Sequence, residues 1–380
     1  MSDYMKVEFC RHNITPVDRR ALDKTLRGLF ISTGSEVAVF EEKLARHMGA
    51  PYAVGVTSAT AALHLALEAL GVGRGDEVIT TPMSFIATAN AILHAGAKPV
   101  FADVEPDTGN IDPAQIEKAI TKRTRAIIPV HLYGQLCDMR AIASIAKGRK
   151  LKIVEDAAHA LEGKRDGYGP GQLADAAAFS FYATKNVTCG EGGALVVKSK
   201  KVRDILLRTR AHGMTKDAAK RYGVTFSQYD MKEYGWKYNM SNIQAALLLN
   251  QLDRVEDNLQ KRARLWKTYL KKLEGAQGVG FPTISPGSRS AMHLFTVWVP
   301  ERKRDVALAG LAARGIGVSV HFKPIHLMGF YQKNFGFHKG MFPVAEAIGR
   351  KTITLPFYPT LKPAEIEYVS VSLKEALNGR

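Results

Sequence analysis

The chain has 380 residues, of which 46% are hydrophobic and 23% are charged, an ordinary globular composition that is long enough for two domains. It contains no apolar run that could span a membrane, its first residues lack the apolar core of a secretory signal, and its three cysteines have neither metal-ligand nor disulfide spacing. These features disfavour a membrane-spanning protein and a disulfide scaffold, and they predict a cytoplasmic protein with no metal site.

The net charge of +17 at pH 7 admits three explanations. A basic protein can bind nucleic acid, it can carry a solvated basic surface, or its field can attract a small anionic substrate. No recognition helix or zinc signature accompanies the basic residues, which are scattered over several short segments. The clearest of these segments are residues 147–152, 198–203, 216–221 and 261–272. We therefore expect neither a nucleic-acid partner nor a membrane partner, and an anionic substrate stays open.

Between residues 50 and 200, short apolar runs alternate with segments of helical periodicity. The predicted strands are residues 51–56, 77–80, 98–103, 125–130, 152–154, 176–181 and 194–197. The predicted helices are residues 59–70, 85–94, 113–120 and 138–147. This alternation predicts an α/β fold with a mostly parallel sheet, in which ligands bind at the carboxyl ends of the strands.

The pattern changes after about residue 240. Residues 242–277 predict one or two long amphipathic helices, and residues 282–290 form a linker rich in Pro, Gly and Ser. Two further strands at 293–299 and 317–322 and two helices at 305–313 and 364–377 complete a small α/β unit. We therefore expect a large domain with an N-terminal arm over residues 1–255 and a small C-terminal domain over residues 256–380.

The turn after the first predicted strand is a candidate phosphate site. Free N–H groups at the start of the following helix, together with the helix dipole, attract anions, and the hydroxyls of Ser58 and Thr60 add donors. Ser58 could equally serve only as the helix N-cap. The glycines are too few for a Walker or dinucleotide motif.

A lysine and an aspartate follow two of the predicted strands. Asp156 ends the apolar run that begins at Lys152, and Lys185 lies in a turn-prone stretch between Ser180 and a glycine cluster. Pyridoxal phosphate needs both types of group, a lysine amine for its aldehyde carbon and a carboxylate for its pyridinium nitrogen. The alternatives are a structural carboxylate that caps a helix or forms a salt bridge, and an ordinary surface lysine.

Two further side chains could contact such a cofactor. His159 follows Asp156 by three residues and could lie against the ring, although a lone histidine is more often structural. Phe85 could stack on the ring, or it could be an ordinary core aromatic residue.

Motifs along nearly the whole chain resemble those of the DegT/StrS family of nucleotide-sugar aminotransferases, within the fold-type I pyridoxal-phosphate enzymes. The motifs include Glu155-Asp156-Ala157-Ala158-His159 and Phe179-Ser180-Phe181-Tyr182-Ala183-Thr184-Lys185-Asn186. The others are residues 32–34, 40–41, 57–63, 75–79, 129–134, 235–240, 320–326 and 355–359. Their number and order make the resemblance specific. It implies a large, mostly parallel seven-stranded sheet that binds pyridoxal 5'-phosphate, followed by a small C-terminal α/β domain.

The resemblance also implies a role for each matching residue. Lys185 would be the catalytic residue, bonding to the cofactor as a Schiff base and then moving protons between carbons. Asp156 would hold the pyridine nitrogen, and His159 and Phe85 would lie on opposite faces of the ring. The residues implied for the phosphate are Ser58, Ala59, Thr60 and Ser180, where Ala59 replaces the glycine of many relatives but keeps its backbone N–H.

The family further implies a homodimer with shared active sites. Asn239 would reach the phosphate of the neighbouring subunit's cofactor. Thr33, His321 and Tyr331 match positions where the sugar nucleotide is expected.

The function implied is the transfer of an amino group from an amino acid, with L-glutamate expected, to a keto-deoxy nucleotide-sugar. Related sugar dehydratases carry histidine at the position of Lys185, so the lysine favours transamination. His159 resembles relatives that aminate carbon 4, which predicts a UDP- or dTDP-4-keto-6-deoxy sugar, whereas relatives acting on carbon 3 more often have glutamine there. The alternatives are a 3-keto nucleotide-sugar or cyclitol aminotransferase, and a non-catalytic regulator or nucleic-acid binder, against which the set of Lys185, Asp156 and Ser180 argues.

Overall fold

The computed structural model describes residues 5–215 and 228–379, and its largest element is a seven-stranded sheet. The first eight strands are β1 (Tyr52–Val56), β2 (Glu77–Thr80), β3 (Lys98–Phe101), β4 (Thr124–Ile128), β5 (Lys152–Asp156), β6 (Lys164–Arg165), β7 (Ala176–Ser180) and β8 (Gly193–Val197). All except β6 belong to this sheet, in the order β1-β8-β7-β5-β4-β2-β3.

The sheet is mostly parallel, as the sequence predicts. Only β8 is antiparallel to its neighbours, β1 and β7. The pairs β7–β5, β5–β4, β4–β2 and β2–β3 are all parallel. The strands β1, β7 and β5 therefore point the same way, and their carboxyl ends lie at one edge of the sheet.

The helices that cover the sheet belong mainly to the first 253 residues. They are α1 (Pro16–Leu26), α2 (Ser35–Met48), α3 (Ala59–Ala69), α4 (Ala87–His94), α5 (Pro113–Ala119), α6 (Met139–Arg149), α7 (Lys200–Thr209) and α8 (Asn242–Asp253). A short 3-10 turn, Leu132–Gly134, follows β4.

Both faces of the central strands are buried. In β7, Ala176 and Ala178 pack into the core beneath α3, while Ala177 and Phe179 pack into the core beneath α2 and α8. The run 176–179 is therefore continuously apolar, as expected for a strand that is covered on both sides. Helix α3 is apolar on nearly all sides and contacts β5, β7 and β8, which fixes its N-terminus at the carboxyl end of β1.

The C-terminal part builds a second core on a two-stranded sheet. Its elements are α9 (Val255–Leu273), β9 (Ser288–Arg289), β10 (Phe295–Trp298), α10 (Glu301–Ala313), the 3-10 turn Ile325–Leu327, α11 (Gly329–Phe335), α12 (Pro343–Lys351), β11 (Thr352–Leu355) and α13 (Pro363–Leu377). Strands β10 and β11 are antiparallel, and β9 pairs with β6. Val7, close to the N-terminus, belongs to this core and forms a bridge with Ile316. The boundary at residues 255/256 stays a prediction.

The structure differs from the predicted elements at one strand. Residues 317–322 form no strand, because only Ser319 pairs, as an isolated bridge with Thr354, before the chain turns towards a large cavity. The basic segment 216–221 lies outside the described residues. Within the described ranges, no helix is long and apolar enough to cross a membrane.

Candidate active site

The candidate site lies where β1, β7 and β5 end. The register aligns Val56, Gly193 and Ser180 across three neighbouring strands, and Asp156 pairs with Ala178 on the next strand. The loop after β7 carries Lys185, and the turn after β1 begins helix α3. The strand order therefore brings together segments that are more than 100 residues apart in sequence.

Gly193 lets the turn after β1 lie directly over β8. A Cβ atom at this position would lie 2.2 Å from the carbonyl carbon of Ser58 and 2.5 Å from the nitrogen of Ala59. Both are backbone atoms, so only glycine permits this close approach of the turn to the sheet.

The beginning of α3 provides donors for an anion. Ser58 Oγ accepts a hydrogen bond from Ala61 N at 3.1 Å, so Ser58 is the N-cap, and its hydroxyl proton stays available to donate. The backbone N–H groups of the first helical turn have no partner inside a helix. Ser58, Ala59, Thr60 and Ser180 all line one large cavity. This geometry is therefore compatible with both predicted roles of Ser58, as the helix N-cap and as a phosphate ligand.

Asp156 is a buried carboxylate in the same cavity, with only 6% of its surface exposed. Its Oδ2 accepts from Thr88 Oγ1 at 2.7 Å, and its Oδ1 accepts from Ala158 N at 3.1 Å. Ser84 Oγ lies 2.9 Å from Thr88 Oγ1. These bonds fix the carboxylate at the end of β5, where it can pair with a cationic ring nitrogen.

Lys185 lies in the cavity with its backbone N–H bonded to Tyr182 O at 2.9 Å. Burial lowers the pKa of its amine from the ordinary 10.5 to about 8, and the nearby Asp156 charge opposes that shift. A lysine with a pKa close to neutrality has the reactive unprotonated form that a nucleophile and a general base need.

Three histidines surround Lys185. Burial lowers the pKa of His321 to about 4, and it lowers the pKa of His159 and His293 well below the ordinary value; the Lys185 charge adds to all three shifts. The His159 ring lies 4.5 Å from the His293 ring between centroids, and its Nδ1 is buried without a hydrogen-bond partner. Near pH 7 these imidazoles are neutral and leave Lys185 as the titrating base.

Aromatic rings form the mouth of the cavity. Phe85 is 60% exposed, and its ring lies 6.4 Å from that of Phe322, which in turn stacks on His159. Phe9 from the N-terminal segment stacks on His321. The cavity has a volume of about 510 Å³, within the range of about 300–1,000 Å³ typical of small-molecule sites.

The structure brings most of the predicted site residues together. The predicted residues that line this cavity are Ser58, Ala59, Thr60, Phe85, Asp156, His159, Ser180, Lys185 and His321. Asn239 and Thr33 are not in its lining; Asn239 Nδ2 donates to Thr33 Oγ1 at 2.6 Å, and Asn239 Oδ1 is buried without a partner. Tyr331 is also outside the lining, buried in a cluster of aromatic residues with its hydroxyl bonded to Asn90 at 2.6 Å. The predicted roles of all these residues stay predictions.

The lining also includes residues to which the sequence analysis assigned no role, among them Phe9, Thr88, His293 and Phe322. Thr88 could have been found from its place in the first turn of α4, the helix that follows β2. Phe9, His293 and Phe322 reach the cavity from the N-terminal segment and the C-terminal part, and only tertiary packing brings them there.

The side chains of the cavity suit pyridoxal phosphate. A helix N-terminus with hydroxyls matches a phosphate, the Asp156 carboxylate matches a protonated ring nitrogen, and the Lys185 amine matches an aldehyde carbon. When bound, this cofactor supplies an electron sink for a carbanion next to nitrogen. With this cofactor bound, Asp156 would keep the ring nitrogen protonated and Lys185 would provide the base.

The chain is similar to known proteins over nearly its whole length. The model of the DegT/DnrJ/EryC1/StrS aminotransferase family matches residues 13–374. The chain is 41% identical to the spore coat polysaccharide biosynthesis protein SpsC of Bacillus subtilis, over 94% of this chain and 93% of that protein. It is 36% identical to the UDP-4-amino-4-deoxy-L-arabinose–oxoglutarate aminotransferase of Shewanella sediminis, over 98% of both chains.

Solved structures show the same fold. The PLP-form of Spr1654 from Streptococcus pneumoniae superposes with a TM-score of 0.92 at 32% identity, covering 99% of each chain. Its PMP-form superposes with a TM-score of 0.93 at 33% identity, covering 98% of this chain and 100% of that one. The family and the fold type predicted from the motifs are thereby confirmed. The chain belongs to the DegT/DnrJ/EryC1/StrS aminotransferase family and is a PLP-dependent sugar aminotransferase of fold type I.

Proposed function

We propose that the enzyme moves the amino group of L-glutamate to carbon 4 of a 4-keto-6-deoxy sugar linked to UDP or dTDP. The observation that carries the proposal is the presence of Lys185 and Asp156 in one cavity, with the pKa of the lysine lowered to about 8 by burial. The amine is thus suited to taking a proton from one carbon and returning it to another.

Each site residue has a role in this proposal. Lys185 binds the cofactor covalently at rest and acts as the base once its amine is free. Asp156, held by Thr88 and Ala158, keeps the ring nitrogen protonated. Ser58, Ala59, Thr60 and Ser180 bind the phosphate, while His159 and Phe85 hold the ring between them.

Two observations support carbon 4 as the position that receives the amino group. His159 matches the pattern of relatives that aminate carbon 4, as the sequence motif implies. The printed name of the Shewanella relative describes a 4-amino sugar linked to UDP, and that protein matches this chain over 98% of both lengths. We propose that the present chain likewise aminates carbon 4 of a nucleotide-linked sugar.

Glutamate as the donor is supported by the same name. That relative's name contains oxoglutarate, which is the keto acid left when glutamate loses its amino group. Both glutamate and a nucleotide diphosphate are anions, and the net charge of +17 favours their approach.

The proposed functional unit is a homodimer with shared active sites. Exposed apolar side chains near the cavity and on the N-terminal segment have no cover in a single chain; they include Leu29 at 92%, Phe85 at 60% and Ile31 at 49% exposure. Asn239 and its bonding partner Thr33 are outside the lining of their own cavity, as expected if they serve the site of the partner subunit. His321 and Tyr331 would complete the sugar-nucleotide site.

The test is a substrate panel. Purified enzyme with glutamate is incubated with 4-keto and 3-keto sugars linked to UDP, dTDP or GDP, and products are identified by mass spectrometry and NMR. We expect a 4-amino product from a UDP or dTDP sugar, with stoichiometric 2-oxoglutarate. An amino group at carbon 3, or turnover of a cyclitol ketone instead, would replace the proposal with one of its alternatives.

A further inference from the structure

A chain of buried polar groups lies beneath Lys185, and the mechanism above does not use it. Arg262 and Glu162, each with only 1% of its side chain exposed, form an ion pair at 2.5 Å. Glu162 also accepts from Asn186 Nδ2, with its oxygens at 3.2 and 3.1 Å. Asn186 Oδ1 lies 3.1 Å from His293 Nδ1. Buried ion pairs contribute little net stability, and the effect of this one is on the orientation of its neighbours.

The orientation of the Asn186 amide follows from its partners. Its nitrogen faces the Glu162 carboxylate and also the carbonyl oxygen of Ala291 at 3.2 Å, and both partners can only accept hydrogen bonds. The amide oxygen must therefore be the atom that faces His293. Arg262 in turn donates to Glu162 and to Ala291, which holds both acceptors in place.

This amide determines the tautomer of His293. The Asn186 oxygen can only accept, so His293 Nδ1 carries the proton of that bond. A neutral imidazole with a proton on Nδ1 has a lone pair on Nε2. Within the described part of the chain, the only hydrogen bond of the His293 ring is the one through Nδ1, and the ring lines the same cavity as Lys185.

Lys185 and His293 are also close neighbours below the main cavity. Both line a small void of about 10 Å³ that also contacts Asn186 and Glu162. The titratable and charged groups around His293 are Lys185, His159, His321, Arg262 and Glu162. Four of them are cationic or become cationic on protonation, and three of these four line the cavity, so a charged His293 would repel Lys185.

We propose that His293 is a positioning residue whose unprotonated Nε2 accepts a hydrogen bond from the free Lys185 ammonium and limits its movement in the cavity. Asn186, Glu162 and Arg262 fix the tautomer that makes this possible. The chain from Arg262 on α9 to the loop after β7 thus connects the C-terminal part to the amine that carries the proton.

The direct test is the tautomer of His293 in the holoenzyme. Long-range ¹H–¹⁵N correlation spectra of ¹⁵N-histidine-labelled protein distinguish a protonated from an unprotonated ring nitrogen. We expect His293, assigned by the signals missing from His293→Gln, to show a protonated Nδ1 and an unprotonated Nε2 at pH 7. A protonated Nε2, or a charged ring, would overturn the proposal.

A matched pair of variants separates positioning from packing. His293→Gln places an amide oxygen or nitrogen near the position of Nε2, whereas His293→Asn keeps only a donor near the position of Nδ1. We expect His293→Gln to keep kcat within a few-fold of the parent enzyme. We expect His293→Asn to lose up to about 100-fold in kcat with little change in KM for glutamate, because the free amine is misplaced.

The ranking of the two activities still tests the proposal if one variant is less stable than the other. If His293 only packs and holds Asn186, His293→Asn should equal or exceed His293→Gln in activity, and that ranking would contradict the proposal. Asn186→Leu offers an independent measurement, because removal of the amide oxygen should shift the ring towards the Nε2-protonated tautomer. An unchanged tautomer in a folded Asn186→Leu protein would show that Asn186 does not fix it.

Discussion

At the level of single residues, the proposed chemistry depends on the charge of Lys185. Burial makes the ammonium costly and Asp156 partly compensates, so the pKa of the lysine is about 8. The three neighbouring histidines have lowered pKa values and stay neutral at pH 7. In the proposed mechanism, Lys185 is therefore the group whose titration governs reactivity near neutral pH.

The rate of covalent capture of pyridoxal phosphate by the apoenzyme should follow this titration. Only the unprotonated amine attacks, so the rate should rise with pH to a plateau with a midpoint of about 8. At pH 6, two units below the midpoint, it should be about 100-fold below the plateau. Stopped-flow absorbance measures it, and capture by Nα-acetyl-lysine corrects for titration of the cofactor itself. A midpoint close to 10.5 would show that Lys185 is not buried in the reacting state.

Substitution of Asp156 should change both the midpoint and the chemistry. Asp156→Asn keeps the shape but removes the charge that favours the ammonium, so the Lys185 midpoint should move to lower pH. It also removes the partner of the ring nitrogen, so kcat should fall by about 100-fold or more. Steady-state kinetics and the capture assay measure the two effects.

A matched control exists at the start of α5. Asp112 caps α5 by accepting from Ala114 N at 2.8 Å, and asparagine caps equally well. Asp112→Asn should leave kcat and the midpoint unchanged. Full activity of Asp156→Asn would remove Asp156 from the cofactor site.

Three of the residues that could be predicted from sequence lie at or shortly after the end of an apolar run. Asp156 ends β5, Ser58 follows β1 by two residues and Lys185 lies in the loop after β7, and the parallel strands bring these ends together. Phe9 and Phe322 could not be predicted from local sequence, because their side chains enter the cavity through the packing of distant segments. Asn239 is expected to act in the site of the partner subunit, and Tyr331 is expected in the sugar-nucleotide site. Neither lines the cavity of the single chain, so the structure does not show either role.

At the scale of elements, the turn from β1 into α3 depends on the glycine beneath it. A Cβ at Gly193 would lie 2.2 and 2.5 Å from backbone atoms of Ser58 and Ala59, so Gly193→Ala must displace the turn. We expect the affinity for pyridoxal phosphate to fall at least about tenfold, with a loss of about 1–3 kcal/mol in the free energy of unfolding. Fluorescence titration and chemical denaturation measure these quantities.

Gly148 in α6 is the control, because a Cβ there meets no atom within 4 Å. Gly148→Ala should leave cofactor affinity unchanged and raise stability, since alanine is the better helix former. Equal affinities of Gly193→Ala and the parent protein would show that the turn does not bind the phosphate.

The elements of the large sheet could be predicted because its central strands are apolar runs that are buried on both faces. Helix α1 gave no such signal: of its residues only Asp18 and Thr25 are buried, so it has no apolar stripe. Residues 317–322 show the opposite difference, an apolar-rich run that makes a single bridge at Ser319 instead of a strand. An extended segment becomes a strand only when a second segment pairs with its backbone. The sequence of the segment itself does not show whether such a partner is present.

At the scale of the whole molecule, the proposed homodimer makes a prediction that mixing can test. Lys185→Ala and Asn239→Ala should each be impaired alone. If Asn239 serves the partner subunit's site, a mixed dimer of the two variants has one intact site, which combines Lys185 of one subunit with Asn239 of the other. Activity should therefore reappear when the two variants are refolded together.

The control for mixing is a pair of variants within one site. Lys185→Ala mixed with Asp156→Asn should recover no activity beyond the residual of the latter, because both residues serve the cavity of their own chain. If mixing Lys185→Ala with Asn239→Ala restores no activity, Asn239 acts within its own subunit and not in the partner's site. Unchanged cofactor affinity in Asn239→Ala would also contradict the shared site.

The central claim is that Lys185 is the amine that bonds to the cofactor. Holoenzyme reduced with borohydride and digested with a protease should carry the pyridoxyl-phosphate mass on the peptide that contains Lys185, and Lys185→Ala should carry none. The modification at full yield on another lysine, or its persistence in Lys185→Ala, would contradict the claim.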